Sequence, residues 1–449
     1  MVMNNILNNF QTWAIQYPEK GLSKTILPLI SLFEGLLATT NATYLHSKRQ
    51  KFGSNFCCSG QVVLGDFETL KIALTSPQAR TWRLGTTLLD AKHSPNQDVG
   101  GRNVFLLSLS DQAAGGSTDH AAFKKCMQDY LLNETASARQ RDPIARGLLE
   151  KLAADYKAMP HSPGGTFFTD EHRGLMQFMI RYLHYVIFGL NPDDDDSMRH
   201  LTDLYYTRLG PTHYIAKVGR LLKQLKLKGH GDISDLIEKV ATLYEQSPVL
   251  ANFQEARPEY NHMTRRELAK LMTSIMSIAA LQGPLHIAYT SMGFRPLPAY
   301  GDRTTANIDL TQEWDTLDLE DRHAVRLFLL ECARLWAPVN ATHRIATEAF
   351  TVTIAGKAQT FPAGTNILIP IGLGLLDESI WGSTTYEFNA NRENLCPFHM
   401  GFHSVGDHSA ERICPGKEVA LDMLVDILIT VGKVRRTLPP ATATTGHAA

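Results

Sequence analysis

The stretch Gly406-Asp407-His408-Ser409-Ala410-Glu411-Arg412-Ile413-Cys414-Pro415-Gly416 leads directly into an apolar, helix-like segment from Lys417 to Thr430. This pattern places Cys414 at the start of a helix, where backbone N–H groups and the helix dipole favour negative charge. A cysteine in such a position is expected to be a thiolate, which is the form of the side chain that binds metals. Cys414 is therefore the first candidate metal ligand of this chain.

A second motif, upstream of Cys414, contains a pair of opposite charges inside an apolar helix. Glu331 and Arg334 are three residues apart, so they share one face of the predicted helix that includes Val325–Trp336. Charges in such apolar surroundings are expected to be paired, because an unpaired buried charge is costly. Three further segments follow this helix: Phe361-Pro362-Ala363-Gly364-Thr365 before an apolar strand, Asp377-Glu378-Ser379-Ile380-Trp381-Gly382, and Tyr386-Glu387-Phe388-Asn389-Ala390-Asn391-Arg392.

Together, these motifs resemble those of the cytochrome P450 family. That family has a Glu-x-x-Arg helix, a Pro-x-Gly-Thr turn before a strand, a meander that ends in Phe and Arg, and an Arg-x-Cys-x-Gly loop. The matching residues here occur in the same order, with the cysteine 83 positions after the first of them: Glu331, Arg334, Arg392, Arg412, Cys414 and Gly416. The segment 44–71 is also similar to the first helix and first strand pair of the family.

The resemblance implies a cytochrome P450-like fold, mainly α with a small β region, in a single heme-thiolate domain over residues 1–449. Within it we expect an N-terminal helical segment at 1–40 and a flexible tail at 437–449. Apolar residues at three- and four-residue spacing independently predict the following helices: Phe67–Leu74, Ala121–Leu132, Pro143–Met159, Glu171–Gly189, Met198–Tyr206, Ser234–Tyr244, Arg265–Ser291, Asp318–Trp336 and Pro415–Thr430. Strand signals cluster at 56–65 and 345–371, and the aspartates of 191–196 indicate a solvated loop.

Composition narrows the possible functions and locations. The chain has 449 residues and a formal net charge of −1, so it lacks the basic excess typical of nucleic-acid-binding proteins. Its six cysteines show no regular framework, which favours reduced thiols and a cytoplasmic protein. The apolar segment Thr25–Ala38 is short and contains Pro28 and Glu34, so we expect no integral membrane span and at most weak contact with a membrane surface.

The same resemblance implies heme b (iron protoporphyrin IX) as cofactor, with Cys414 as the axial ligand of the iron and Gly416 in the cofactor loop. The heme carboxylates need cationic partners, because a buried carboxylate is costly unless it is paired. By comparison with the family, the candidates are His120, Lys124, Arg344 and Arg412. Glu331, Arg334 and Arg392 would instead form a buried structural network.

The predicted helix Arg265–Ser291 corresponds to the oxygen-binding helix of the family. Monooxygenases of the family normally carry an acid followed by an alcohol there, whereas this chain reads Ala279-Ala280-Leu281-Gln282-Gly283-Pro284-Leu285-His286. Pro284 is expected to kink the helix and to free a carbonyl. Gln282 stands where the acid would be, and His286 is either a proton relay or a structural histidine.

A proline without the acid–alcohol pair resembles family branches that use hydrogen peroxide or organic hydroperoxides. The stretched loop before Cys414 resembles the fatty-acid peroxygenase branch, but that branch has an arginine where Gly283 stands. We therefore expect an apolar or aromatic substrate, oxidised by hydroxylation or radical coupling in natural-product biosynthesis. The oxidant would be hydrogen peroxide, or dioxygen with a redox partner that supplies electrons.

The residues after Arg436 are small and polar, and nothing in them predicts the C-terminal hairpin that family members send into the substrate pocket. The sequence thus favours an open pocket suited to a bulky substrate or to two substrates that couple.

Two alternatives stay open at this point. One is a hydroperoxide isomerase or dehydratase, which needs neither the acid–alcohol pair nor a reductase; fatty-acid peroxygenation belongs to the same group of alternatives. The other is a non-enzymatic zinc module, because the spacing of several Cys and His residues is compatible with zinc: Cys396, His399, His403, His408 and Cys414. The zinc interpretation explains none of Glu331, Arg334, Arg344 and Arg392.

Overall fold

A computed structural model describes residues 2–18, 20–40, 44–70, 79–81, 128–129, 131–162, 164–170, 172–209, 233–255, 265–266, 269, 272–273, 276–294, 308–338, 341–346, 348–393, 395 and 414–438. Most of these residues are helical, and the remainder form a small β region, which confirms the predicted fold class. The organisation of 1–449 as one domain stays a prediction, and the predicted tail beyond Leu438 lies outside the described residues.

The helices of the described chain follow one another in this order: α1 Val2–Gln16, α2 Gly21–Thr40, α3 Tyr44–Phe52, α4 Glu134–Arg139, α5 Pro143–Ala158, α6 Thr166–Thr169, α7 Gly174–Phe188, α8 Asp195–Leu209, α9 Ile233–Glu245, α10 Pro248–Glu255, α11 Gly283–Ser291, α12 Thr311–Thr316, α13 Arg322–Leu335, α14 Ile371–Gly374, α15 Glu378–Trp381 and α16 Lys417–Arg435. A π-helix, Met276–Gln282, runs directly into α11, and a 3₁₀ turn, Gly382–Thr384, follows α15.

Among the described residues, seven strands form two sheets: β1 Asn55–Cys58, β2 Gln61–Leu64, β3 Ala79–Thr81, β4 Thr342–Ala346, β5 Phe350–Ile354, β6 Lys357–Phe361 and β7 Asn366–Ile369. The larger sheet has the order β1-β2-β7-β4-β3, and its β2 and β7 strands pair in parallel, with Val62 opposite Ile367. Strands β5 and β6 form a separate antiparallel hairpin. The sheet therefore joins the first strand pair of the chain to strands near its C-terminal end.

The main core lies among the helices, and α7 runs through it. Every residue of α7 except Arg181 is buried, because its sequence is apolar on all faces. Helix α7 packs on α5 and α8, while α16 packs on α5, α11 and α13. This packing fixes α16, and therefore its first turn, relative to α13.

One segment differs from the sequence-based expectation. The loop predicted at 191–196 ends earlier, because α8 begins at Asp195 and Asp194 accepts a hydrogen bond from Ser197 N at 3.2 Å. Carboxylates in a first helical turn interact favourably with the helix dipole, so the aspartates help to start α8. The predicted helix Ala121–Leu132 lies largely outside the described residues. Within the described part of the chain, no helix is long and apolar enough to cross a membrane.

Candidate functional site

Cys414 lies in the turn that begins α16, as the sequence predicts. The backbone N–H of Lys417 donates to the Cys414 carbonyl at 3.4 Å, and Gly416 is the N-cap of the helix. Cys414 is half-buried against the main core and forms no disulfide. The thiol is therefore placed at a helix N-terminus, an environment that favours the thiolate form.

Helix α16 is held firmly behind this turn. Its inward residues are buried, and Gln140 donates a hydrogen bond through Nε2 to the Val419 carbonyl at 2.9 Å. A methyl group added at Gly432 would lie 3.0 Å from Leu319, so α16 approaches the segment before α13 closely. Cys414 is consequently held on a rigid helix.

Glu331 and Arg334 form a fully buried ion pair on α13. Arg334 donates to Glu331 through Nε at 2.7 Å and through Nη2 at 2.8 Å, and both side chains are 0% exposed. This two-pronged geometry is the strongest form of a carboxylate–guanidinium contact. The pair confirms the expectation drawn from the three-residue spacing.

The network extends to the segment after α15. Arg392 donates to Glu331 Oε1 at 2.9 Å, and the backbone N–H of Asn389 donates to the same oxygen at 3.0 Å. Arg334 in turn donates to the Thr385 carbonyl at 2.8 Å. One carboxylate thus binds two guanidinium groups and a backbone amide, which places the 384–392 segment against α13.

Trp381 closes the network in a way that sequence reasoning did not anticipate. The guanidinium carbons of Arg334 and Arg392 lie 5.1 and 5.8 Å from the centre of the Trp381 ring. Such cation–π contacts add attraction without a further hydrogen bond. The sequence analysis singled out the segment Asp377–Gly382 only for its family resemblance. No local sequence pattern predicts that the Trp381 ring lies beside the two arginines.

Arg344 is the candidate cationic partner of the heme carboxylates that lies within the described residues. It lies on β4, opposite Ile367 of β7 and Thr81 of β3, and its side chain is only 1% exposed. A buried guanidinium is costly unless it interacts with polar or negatively charged groups. Its position follows α13 directly, so Arg344 lies on the strand that continues from the Glu331–Arg334 helix.

The stretch expected to face oxygen has an unusual backbone. Residues 276–282 form a π-helix, and α11 begins at Gly283 with Pro284 in its first turn. The sequence predicted one helix with a kink at Pro284; instead, a change of helix type is found there. Because proline has no N–H to donate, it fits best in a first turn, where that donor would be unused. π-Helical insertions are rare and occur frequently at functional sites.

Space is left open at this junction. Gln282 is exposed, and a methyl group added at Gly283 would contact nothing within 4 Å. Pro284, by contrast, is buried. The junction therefore presents one flexible polar side chain and one position without a side chain.

His286 is buried two residues further along α11. Burial lowers the pKa of its imidazole to about 4, and a hydrogen bond with the backbone of Trp336 partly offsets that effect. Its Nε2 atom has no partner among the described residues. Burial thus favours the neutral imidazole, and a role of His286 in proton relay stays a prediction.

The remaining candidates lie outside the described residues: His120, Lys124 and Arg412, together with the zinc candidates Cys396, His399, His403 and His408. Within the described ranges, no group of three or more His, Cys, Asp or Glu residues could hold a metal ion. The structure thus brings together Glu331, Arg334 and Arg392, and it places Cys414 and Arg344 on elements that pack on or follow α13.

A buried polar cluster elsewhere was also missed. His184 Nε2 lies 2.7 Å from the Tyr244 hydroxyl and 3.0 Å from the Tyr205 hydroxyl, while Nδ1 lies 2.7 Å from the Ile180 carbonyl. These contacts tie α8 and α9 to α7. The three residues are far apart in sequence and each falls in an apolar helical pattern, so no local signal could join them.

No family model matches the sequence, and no curated protein matches it either. Solved structures do match over most of the chain. CYP109E1 from Bacillus megaterium, in complex with corticosterone, is 13% identical with a TM-score of 0.56, covering 87% of this chain and 89% of that one.

Two further structures agree. P450 RauA, complexed with a biosynthetic intermediate of aurachin RE, is 12% identical with a TM-score of 0.54 and coverage of 83% and 84%. Full-length CYP116B46 from Tepidiphilus thermophilus is 14% identical with a TM-score of 0.55, covering 87% of this chain and 47% of its own longer chain. Taken with the Glu331–Arg334–Arg392 network and the cysteine at the start of α16, these similarities show that the chain has the cytochrome P450 fold.

Proposed function

We propose that this protein is a heme-thiolate oxidoreductase that oxidises a small apolar or aromatic molecule. The observation that carries the proposal is Cys414, a half-buried cysteine in no disulfide at the N-terminus of α16, within a cytochrome P450 fold. The buried Glu331 network accompanies it and holds the segment that precedes the cysteine loop.

The residues present fit heme b. A cysteine at a helix N-terminus supplies a soft anionic ligand, and the buried Arg344 guanidinium suits a carboxylate. In this proposal Cys414 holds the iron, Gly416 allows the turn beside it, and Arg344 binds a heme carboxylate together with His120, Lys124 and Arg412. When bound, a heme held by the Cys414 thiolate would supply O–O bond cleavage and one-electron oxidation of organic molecules.

The π-helix junction would form the distal side of the site. The exposed Gln282 would donate or accept hydrogen bonds to the oxidant, and Gly283 would leave room for a bulky substrate. Pro284 would fix the turn, since its ring restricts the backbone. His286, neutral and without a partner at Nε2 among the described residues, would act as a hydrogen-bond donor or acceptor.

Hydrogen peroxide is the oxidant we propose first. The segment 282–286 contains neither a carboxylate nor a hydroxyl, so it lacks the usual groups for delivering protons to bound dioxygen. Dioxygen with an electron-supplying redox partner is the alternative. The structural neighbour CYP109E1 was solved in complex with corticosterone and with testosterone, which supports an apolar substrate.

Radical coupling and a place in natural-product biosynthesis are finer parts of the proposal. RauA, complexed with a biosynthetic intermediate, supports the latter by similarity of fold. None of the four cysteines in the described part of the chain forms a disulfide, which supports a cytoplasmic location.

The first test is the absorption spectrum of the dithionite-reduced protein under carbon monoxide, in wild type and in Cys414→Ser. We expect a red-shifted, thiolate-type Soret band that the substitution abolishes. Cys332→Ala is the matched control, because Cys332 is a buried cysteine of α13 that the proposal assigns no role. A purified protein that contains zinc and no heme, or a band that survives in Cys414→Ser, contradicts the proposal.

The second test addresses oxidant and substrate. Turnover of aromatic and polycyclic compounds would be compared with hydrogen peroxide and with a reductase system, and lipid hydroperoxides would be tried without added electrons. Gly283→Arg should fold, since no atom lies within 4 Å of a Cβ added at this position. The variant should bind fatty acids more tightly, because its guanidinium can pair with their carboxylate. Wild-type turnover of lipid hydroperoxides alone would instead favour an isomerase or dehydratase.

A further inference from the structure

A cavity lies between the first half of α2 and the turn that joins β1 to β2. Its volume is about 340 Å³, which is near the lower end of the range for small-molecule pockets, roughly 300–1,000 Å³. Ser23, Lys24 and Leu27 of α2 lie on one side of it, and Gly60 of the turn lies on the other. We call this space the α2 cavity. None of the described residues around it belongs to the segments assigned above to heme or to the oxidant.

The two sides of the α2 cavity are fixed to each other by hydrogen bonds. The Ser59 hydroxyl donates to the Ser31 carbonyl at 2.7 Å, and the Ser59 N–H donates to the Glu34 carboxylate at 2.7 Å. A methyl group added at Gly60 would collide with Ser31 Oγ, so the helix and the turn touch beside the cavity. The walls are therefore in place before any ligand binds, and little ordering has to accompany binding.

One hydroxyl of the cavity wall has no partner. Ser23 is 2% exposed, and its Oγ atom forms no hydrogen bond with any described residue. Its neighbours on α2 differ, because Ser31 Oγ donates to the Leu27 carbonyl at 2.7 Å and Thr25 Oγ1 donates to the Gly21 carbonyl at 3.0 Å. Buried hydroxyls are normally hydrogen-bonded, since burial has removed them from water. The Ser23 hydroxyl is therefore available to a ligand.

The surroundings of Ser23 favour an anion. Ser23 lies in the first turn of α2, where backbone N–H groups have no partner within the helix and the helix dipole is positive. Lys24 also lines the cavity and is exposed, which places its ammonium at the opening. No acidic residue occurs from Lys20 to Phe33. A hydroxyl, an ammonium and a helix N-terminus are together the groups that bind a carboxylate.

The rest of the α2 side is apolar. Leu27 is half-buried and packs against the core of the sheet, and the rings of Pro18 and Pro28 lie beside it. These side chains offer no hydrogen-bonding groups, so the part of a ligand that contacts them has to be apolar. On the sheet side, Gln61 and Asn366 contribute side-chain amides to the wall. The cavity thus suits a molecule with a charged end and a compact apolar body.

We propose that the α2 cavity binds a small monocarboxylate with an apolar body, of the arylpropionate kind. The carboxylate accepts a hydrogen bond from the Ser23 hydroxyl and pairs with the Lys24 ammonium, while the apolar body packs on Leu27 and Pro28. This ligand site is separate from the Cys414 site. The proposal does not depend on the heme chemistry above.

The test is isothermal titration calorimetry of the intact protein with 3-phenylpropionate, and with uncharged 3-phenylpropanol as the matched ligand. We expect the carboxylate to bind at least about tenfold more tightly than the alcohol, because a charged acceptor forms the stronger hydrogen bond. Ser23→Ala should weaken binding of the carboxylate by about tenfold. Lys24→Gln should weaken it by about threefold and reduce its sensitivity to salt, since the ammonium is exposed.

The matched controls are Thr25→Ala and Lys20→Gln, which remove a hydroxyl and a cation that do not line the cavity. Both should bind 3-phenylpropionate as wild type does. Urea unfolding would verify that Ser23→Ala is as stable as wild type, because the lost hydroxyl has no partner among the described residues.

Three outcomes would overturn the proposal. One is wild-type protein that binds neither ligand at millimolar concentration, and another is Ser23→Ala that binds the carboxylate as tightly as wild type. The third is a shift of the heme absorption band that accompanies binding and survives in Ser23→Ala, because it would assign the ligand to the Cys414 site.

Discussion

Replacing Glu331 by Gln should strongly destabilise this protein. The glutamate carboxylate accepts four hydrogen bonds, two from Arg334, one from Arg392 and one from the backbone of Asn389. Glutamine has nearly the same shape, but its amide carries no charge and turns an N–H₂ group toward a guanidinium. The two arginines would then be left without their common counter-charge.

The expected magnitude follows from burial. Arg334 and Glu331 are 0% exposed and Arg392 is 6% exposed, so water cannot replace the lost carboxylate. Removing one partner of such a pair costs about 3–5 kcal/mol of unfolding free energy. By contrast, Glu418→Gln breaks a surface pair with Arg326, 56% and 29% exposed, and should cost about 0–1 kcal/mol.

The assay is urea unfolding of both variants, followed by tryptophan fluorescence and by circular dichroism. Because the network holds the 384–392 segment, Glu331→Gln should also reduce the thiolate-type band of the carbon monoxide complex, whereas Glu418→Gln should not. The loss of unfolding free energy in the double variant Glu331→Leu/Arg334→Leu should be smaller than the sum of the losses in the two single variants. Glu331→Leu leaves both Arg334 and Arg392 without a counter-charge, whereas the double variant leaves only Arg392. Equal, small effects of Glu331→Gln and Glu418→Gln would refute this reasoning.

Two more predictions concern stability. Burial lowers the pKa of His184 to about 4, below its ordinary value of 6.5, so its contribution to stability is present above pH 6.5 and is lost as the pH falls toward 4, by about 3 kcal/mol in all. His184→Gln, which retains hydrogen bonding toward Tyr205 and Tyr244, should flatten the decline of unfolding free energy over that range; an unchanged slope would assign the decline to other groups. Gly174→Ala should destabilise by roughly 1–3 kcal/mol, because φ is +75° and the new Cβ would lie 2.3 Å from the Phe167 carbonyl oxygen. Gly147→Ala, in the exposed part of α5 with nothing within 4 Å, should stabilise the protein by about 0.5–1 kcal/mol. In thermal unfolding, Gly174→Ala should therefore lower the midpoint temperature and Gly147→Ala should raise it.

The sequence was informative wherever an interaction is local or a motif is short. The three-residue spacing of Glu331 and Arg334 predicted their pairing, because helix geometry alone brings them together. Cys414 before an apolar run predicted a cysteine at a helix start for the same reason. The strands of 56–65 and 345–371 were also predicted, since alternation and turn residues act over a few positions.

Tertiary structure decided what depends on distant contacts. Only packing revealed that Trp381 lies beside both arginines, that His184 joins Tyr205 and Tyr244, and that His286 is buried with its pKa lowered to about 4. The change from π-helix to α-helix at Gly283 also escaped the sequence, because periodicity cannot distinguish five-residue from four-residue hydrogen bonding over so short a stretch.

The two faces of α2 show the same division most clearly. Its apolar composition was evident from sequence, whereas its outward face was fixed by Glu34 binding Lys48 and Ser59 from other elements. Residue order sets the pattern of a helix, but the direction in which that pattern faces is set by whatever the rest of the chain packs against it.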